Sequence, residues 1–211
     1  MFEQPLKFFV VFFVVVEPIS LIPLFTGLTS GASRDYQRRM ALKAVCVAAL
    51  ILVLFALGGA AFLQLMGISL EAFRIFGGLL LFLLALEMVF ARESGTRTSS
   101  DEAVESRRRA DISVFPLAFP FIAGPGALAT ILLWFGRVHV TTETFLFLAL
   151  LGAVALVLVI SLVLMWLAEP LMRVLGVTGA NVAGRLLGVV LGALAVQFVL
   201  DGLRQAFGAG G

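Results

Sequence analysis

Glu17 opens the stretch Glu-Pro-Ile-Ser-Leu-Ile-Pro, which closes at Pro23 and places a carboxylate and two prolines in the middle of the apolar run from Leu6 to Leu28. Neither proline has an N–H to bond back one turn, and each ring crowds the turn before it. A helix built on this run should therefore break, leaving carbonyls near Phe13, Val14 and Ile19 without donors. A second such place lies in the apolar run from Val114 to Trp134, which carries Pro116 and Pro120 and then Ala123-Gly124-Pro125-Gly126-Ala127. The two glycines leave the backbone uncovered on either side of a proline. Uncovered N–H and C=O groups beside an acid are chemistry for a zwitterion. The N–H groups at Ile19, Ser20, Gly126 and Ala127, each with the positive end of a following half-helix behind it, suit a carboxylate. The carbonyls near Val16 and Ala123, together with Glu17, suit an ammonium. Pro18 and Pro125 fit as first-turn residues of the second half-helices, where a missing N–H costs nothing. Ser20 and Thr130 either add hydroxyl contacts or bond back to their own helices. Glu17 also reads in two ways, as a functional carboxylate or as a structural acid at a proline kink, and at mid-span its charge costs about 2.5 to 3.5 kcal/mol.

The elements that must position these groups are transmembrane helices. Hydrophobic residues make up 61% of the 211 positions and charged residues 13%, and the mean hydropathy is +1.11, which excludes an ordinary soluble domain. The expected fold is an all-α membrane protein with six spans, in which helices 1 and 4 are discontinuous. The spans run over Leu6–Leu28, Ala44–Met66, about Ala72–Phe90, Val114–Trp134, about Thr144–Ala168 and about Val182–Leu203, with Glu169-Pro170 stopping the fifth. Arg74 lies one turn inside the third, where a long side chain can snorkel to the interface. Pro18 and Pro125 sit about twelve and about eleven residues into their spans, so both fall near mid-bilayer. Irregular backbone at that depth is tolerated only where protein buries it or a wet cavity receives it. Paired interruptions of this kind point to a transporter's binding site.

The chain divides into a first three-helix unit (1–92), a polar linker (93–111) with Arg107, Arg108 and Arg109 in a row, and a second unit (112–211). The units echo one another. Pro18 and Pro125 lie 107 residues apart, Gly67 and Gly176 109, Arg74 and Arg185 111. Three spans per unit is an odd number, so the second must enter the membrane upside down, giving a 3+3 inverted repeat. Of the 15 lysines and arginines, eleven fall on the side of the linker and four on the other, which places both termini outside the cytoplasm.

Other features narrow the function. A net charge of +2 confined to loops gives no case for nucleic acid, and no motif for a nucleotide cofactor or driving nucleotide is present. Cys46 has no partner and is expected as a buried structural thiol. His139 is the sole histidine and falls in a loop, so a histidine metal cluster and a serine-histidine protease have no support and the chain is read as no enzyme. Gly184, Gly188 and Gly192 form a stripe expected to pack closely on another helix. Glu87 and Gln197 either join a proton relay or brace neighbouring helices.

Four segments together resemble the MarC family of integral membrane proteins, within the LysE-type exporter group: Glu17 to Phe25, Gly67 to Gly78, Asp111 to Ala118 with Ala123 to Ala127, and Ala195 to Gly202. The resemblance implies six helices in the plasma (inner) membrane and movement of small neutral amino acids such as glycine and alanine. The substrate-binding set is then Glu17, Pro18, Ile19, Ser20, Pro23, Ala123, Gly124, Pro125, Gly126, Ala127 and Thr130. Glu17, Glu87 and Gln197 are candidates for coupling to protons or sodium. No cofactor or metal is expected, and a homo-oligomer, a channel, a membrane scaffold and a drug-efflux component remain open. In the family the first break reads Asp or Asn, Pro, a small residue, Gly, Asn and Pro; here Glu17, Ser20 and Leu21 stand for the acid or amide, the Gly and the Asn.

Overall fold

Prolines, glycines and polar runs divide an otherwise continuous apolar chain, and the computed structural model breaks near most of them. It describes residues 3–90, 111–138 and 142–208, among which all regular structure is helical. The first span comprises α1 (Glu3–Val16) and α2 (Leu21–Leu28). There follow α3 (Arg34–Leu65), α4 (Leu70–Phe90), α5 (Ser113–Ile122), α6 (Pro125–Phe135), α7 (Thr144–Trp166) and α8 (Ala168–Gly208). Five spans are long and apolar enough to cross a membrane when α1 and α2 count as one, and the bent pair α5–α6 makes a sixth. The linker to residue 110 and His139 lie outside the described residues.

Two helix boundaries differ from the expectation. Helix α3 begins ten residues before Ala44, because Ser33 caps it by accepting the Tyr36 N–H at 3.3 Å and the polar stretch then continues as helix. Glu169-Pro170 does not stop a helix. α7 has already ended at Trp166, and Pro170 falls in the first turn of α8, where no N–H is needed. α8 instead bends at Gly176, whose φ of +61° and ψ of 174° only glycine adopts without strain. Cys46 is exposed, not buried. The buried stripe of α3 runs through Ala41, Ala44, Val45, Ala48 and Leu52, and Cys46 lies off it.

The interrupted first span is central. In its most apolar window 61% of residues are buried, against 22% for α3, whose outer face is left for lipid. Aromatic rings tie it to its neighbours, Phe8 meeting Trp134 and Phe135 of α6 at centroid distances of 5.5 and 5.9 Å, and Phe135 meeting Phe147 of α7 edge-on at 5.2 Å. α1 packs on α7 as α5 packs on α3; α2 packs on α7 and α8 as α6 packs on α3 and α4; α1 and α6 meet at the middle. Asp111 anchors the entry to α5. It pairs with Lys43 of α3 and accepts from Ser113 N–H at 3.0 Å and Ser113 Oγ at 2.5 Å, which together hold its carboxyl down at about 2. The stabilisation from this low value is complete above the ordinary 3.8 and is lost as pH falls through about 2.

The longest seam joins α4 to α8 through small residues. A Cβ on Gly78 would lie 2.9 Å from Ala195 O and 3.0 Å from Val199 N, and one on Gly188 would lie 2.8 Å from Met88 Cβ. A Cβ on Gly192 would make an ordinary contact of 3.6 Å with Ala85. Gly78→Ala is therefore expected to lower the thermal midpoint in detergent, by ~1–3 kcal/mol of overpacking against backbone that has little room to move. Gly192→Ala should leave it unchanged, and equal midpoints for the two variants would refute so close a seam.

Candidate functional site

At the first break the backbone answers most of its own demands. Glu17 N–H still bonds Phe13 O at 2.9 Å, completing α1, and the chain then turns so that Ser20 N–H bonds Glu17 O at 3.0 Å and Ile22 N–H bonds Ile19 O at 3.1 Å. The Phe13 and Ile19 carbonyls thus keep donors that the proline pattern had seemed to remove. Pro18 leaves Val14 O without its helical donor, and the turn takes the Ser20 N–H that a continuous helix would give to Val16 O. Two expectations change. Ser20 N–H is committed within the turn and does not face an anion, and Pro18 is a turn residue, because α2 begins at Leu21 with Pro23 in its first turn.

Glu17 takes a left-handed backbone, φ +54°, and is the non-glycine residue that does so among those described. It is 2% exposed. Ser20 Oγ donates to its Oε1, so the serine hydroxyl serves the acid and not its own helix. Gly184 of α8 lies over the pair: a Cβ there would stand 3.2 Å from Glu17 Oε1 and 3.7 Å from Ser20 Oγ.

The second break is made differently. α5 coils more widely than an α-helix, with Leu117 N–H reaching back to Ile112 O at 3.3 Å and Ala123 N–H to Ala118 O at 2.8 Å. Phe115 and Phe119, each before a proline, are extended, as the proline ring demands. The chain then bends by 56° into α6. Gly124 is required at the bend, because a Cβ there would run into Pro120 O. Pro125 is the first helical residue of α6, as expected, and the ladder begins with Leu128 N–H to Gly124 O at 3.0 Å. The N–H groups of Gly126 and Ala127 precede that ladder and have no helical acceptor. Thr130 is buried and donates to Gly126 O at 2.9 Å, which is the back-bonding alternative.

The two breaks adjoin. A cleft of about 70 Å³ lies between Val15 of α1, Leu80 and Leu84 of α4, Pro120, Phe121 and residues 124–127. A Cβ on Gly126 would stand 3.3 Å from Val15 Cγ1 and 2.9 Å from Leu81 Cδ2. The structure thus brings Gly124, Pro125, Gly126 and Ala127 to one cleft with the end of α1. It does not bring Glu17, Pro18, Ile19, Ser20, Pro23 or Thr130 to that lining, and Ala123 is buried behind it. Glu17 is two residues beyond Val15, turned to Ser20 and Gly184. Glu87 is half-buried on α4, and Gln197 is exposed on α8, donating to Asp201 at 2.8 Å. Among the described residues no group of three or more His, Cys, Asp or Glu side chains gathers to hold a metal.

Val15, Leu80, Leu84 and Phe121 were not singled out from sequence, and Gly184 was singled out only for helix packing. The four apolar residues carry no signal apart from ordinary packing. Gly184 was visible as part of a glycine stripe, and Gly188 does pack closely on α4, but spacing alone does not tell which glycine meets a helix and which meets a carboxylate. Arg74 also departs from its expectation. It is 8% exposed, because it shares the face of Gly77 and Gly78 that α6 and α8 cover, and its buried Nε has no hydrogen-bond partner among the described residues.

Comparison with known sequences agrees over nearly the whole chain. The profile described as "MarC family integral membrane protein" matches residues 2–207. The UPF0056 membrane protein YhcE of Escherichia coli (strain K12) is 35% identical over 201 residues, covering 95% of this chain and 92% of that protein. A UPF0056 membrane protein of Aquifex aeolicus is 36% identical over 199 residues, covering 94% and 92%. YvbG of Bacillus subtilis (strain 168) is 32% identical over 209, covering 98% and 97%. No solved structure matches.

If Gly184 exists to seat the Glu17 carboxylate, Gly184→Ala should destabilise the folded chain and the cost should largely vanish in a Glu17→Ala background. A double-mutant cycle read by thermal unfolding in detergent should give a coupling of ~0.5–3 kcal/mol. Strict additivity would mean that the two residues do not sense each other.

Proposed function

We propose that the chain, which belongs to the MarC family of integral membrane proteins, is a secondary transporter that exports or exchanges small neutral amino acids such as glycine and alanine. One observation carries the reading: two interrupted spans adjoin at one place, and there the Gly126 and Ala127 N–H groups, free of helical acceptors, line a cleft of about 70 Å³. A water occupies roughly 30 Å³ of liquid, so the cleft suits a molecule of a few heavy atoms. Drug-sized ligands take sites of roughly 300–1,000 Å³, which speaks against drug efflux through this cleft. The N–H groups at the start of α6 receive the carboxylate. The carbonyls at the end of α1, those of Val14 and Val16 among them, receive the ammonium, and Glu17 neutralises it once Ser20 releases Oε1.

We infer that the two halves are an inverted repeat with both termini outside the cytoplasm. Exchanging α1–α2 with α5–α6, α3 with α7 and α4 with α8 turns the main packing contacts into one another, which supports the repeat. The equivalent glycines Gly67 and Gly176 also share a left-handed backbone, at φ +69° and +61°. Substrate bound between two such halves is reached from either side as they rock about it, and this is the alternating access that a gradient or an exchange partner drives.

Exchange of labelled glycine or alanine by the chain reconstituted in liposomes tests the reading. Gly126→Val, which fills the cleft, is expected to reduce exchange more than tenfold while the chain remains folded. Wild-type exchange by that variant would remove the anion site, and no saturable exchange by wild type with any of the small amino acids would leave the channel or scaffold reading. Glu17→Gln separates two roles for the acid. Weakening of both exchange and gradient-driven accumulation is expected for ammonium binding, loss of accumulation alone would assign coupling, and retention of both would make Glu17 structural.

A further inference from the structure

A second cavity lies at the end of the bundle where α2 runs into α3 and α7 into α8. It is far larger than the central cleft, about 480 Å³, and has room for a small molecule together with hydrating water. It is also differently lined. Thr26, Ser33, Gln37, Arg34 and Glu169 bring hydroxyls, an amide and two opposite charges to it. The walls are tied: Thr29 N–H and Oγ1 both bond Phe25 O, at 3.0 and 2.7 Å, and Gln37 Nε2 reaches Thr29 O at 3.4 Å.

The two charges are the telling feature. Arg34 comes from the first residue of α3 and Glu169 from the start of α8, and they do not pair with one another. Arg34 makes no ion pair among the described residues, while Glu169 is held by Arg173 through a single exposed contact of 3.3 Å. Such a contact is worth ~0–1 kcal/mol and is readily given up. A cavity with the Arg34 guanidinium on one wall and the Glu169 carboxylate on another complements a molecule carrying both charges.

We propose that this cavity is a loading site for the zwitterion, in which Arg34 takes the α-carboxylate and Glu169 the α-ammonium before the molecule moves to the central cleft. The inference takes its ligand class from the function proposed above. α2 has eight residues, about 12 Å at the helical rise, and leads from this cavity to the Glu17–Ser20 turn, which begins two residues beyond Val15 of the cleft wall. The cavity sits at the end of the bundle that carries Arg34, Arg38, Arg39 and Lys43, the side that the positive-inside rule assigns to the cytoplasm.

The test uses the full chain in detergent with Cys46→Ala and Ser30→Cys, which puts one thiol at the rim of the cavity. Alanine at saturating concentration should slow its reaction with a charged maleimide at least fivefold, whereas alaninamide, lacking the carboxylate, and N-acetylalanine, lacking the ammonium, should not. Arg34→Gln and Glu169→Gln, both at exposed positions, should each abolish the protection. Gly126→Val should retain it. The proposal is overturned if alanine does not protect, if either analogue protects as well as alanine, if protection survives the two charge substitutions, or if Gly126→Val removes it. Exchange in liposomes by the same protein separates the two readings. Exchange without protection sinks the loading site alone, and protection without exchange sinks the transport function while leaving the cavity a zwitterion site.

Discussion

A backbone carbonyl that loses its helical donor in the middle of a bilayer has no water to turn to, and leaving it unpaired costs several kcal/mol. The centre of this molecule is arranged around that constraint. Both interrupted spans lie where protein surrounds them, and each satisfies its backbone by its own route. At the first break a tight turn recovers the Phe13, Glu17 and Ile19 carbonyls. At the second, α5 widens so that N–H groups reach five residues back across positions that proline has emptied. Among the groups left without a helical partner are carbonyls at the end of α1 and N–H groups at the start of α6.

The same economy explains why the remaining helices are plain. α3, α4, α7 and α8 are continuous across the centre, and α4 and α8 meet along glycines that let their backbones approach closely, giving a rigid frame in which broken segments can be held. One residue of that frame is costly. The buried Nε of Arg74 has no hydrogen-bond partner among the described residues, which forfeits ~1–3 kcal/mol. Arg185, its counterpart by sequence offset, is exposed on α8. The sequence offset that relates the two arginines therefore does not carry over to what the packing covers.

Legibility in the sequence followed the physics of each feature. Apolar runs announced the spans, and Pro18, Gly124 and Pro125 announced the breaks, because lipid and proline act through composition alone. The turn of α8 at Gly176 and the continuation of helix through Pro170 were less visible, since a proline near a helix start and a proline that ends one look alike until the preceding boundary is known. The direction of the Glu17 side chain could not be read at all. It depends on a left-handed backbone at residue 17 and on a gap left by Gly184, 167 positions away. Cys46 and Arg74 failed for a related reason: burial inside a bundle depends on which face of a helix its neighbours cover.

Glu17 brings these strands together. α1 completes its last bond at Glu17 N–H and must then reverse so that the Glu17 carbonyl can receive Ser20, a reversal that helices most often assign to a glycine in the left-handed region. A side chain there costs about 1–2 kcal/mol, less for Asp or Asn, whose short polar groups bond locally. Glycine would remove the strain and with it the only carboxylate at the break. Aspartate would ease the backbone but carry its oxygens one methylene closer to the chain. Glutamate accepts the strain and extends far enough for Oε1 to meet Ser20 beneath Gly184. The three residues form one compensated unit. Ser20 hydrogen-bonds the carboxyl, Gly184 makes room for it, and the turn fixes its direction.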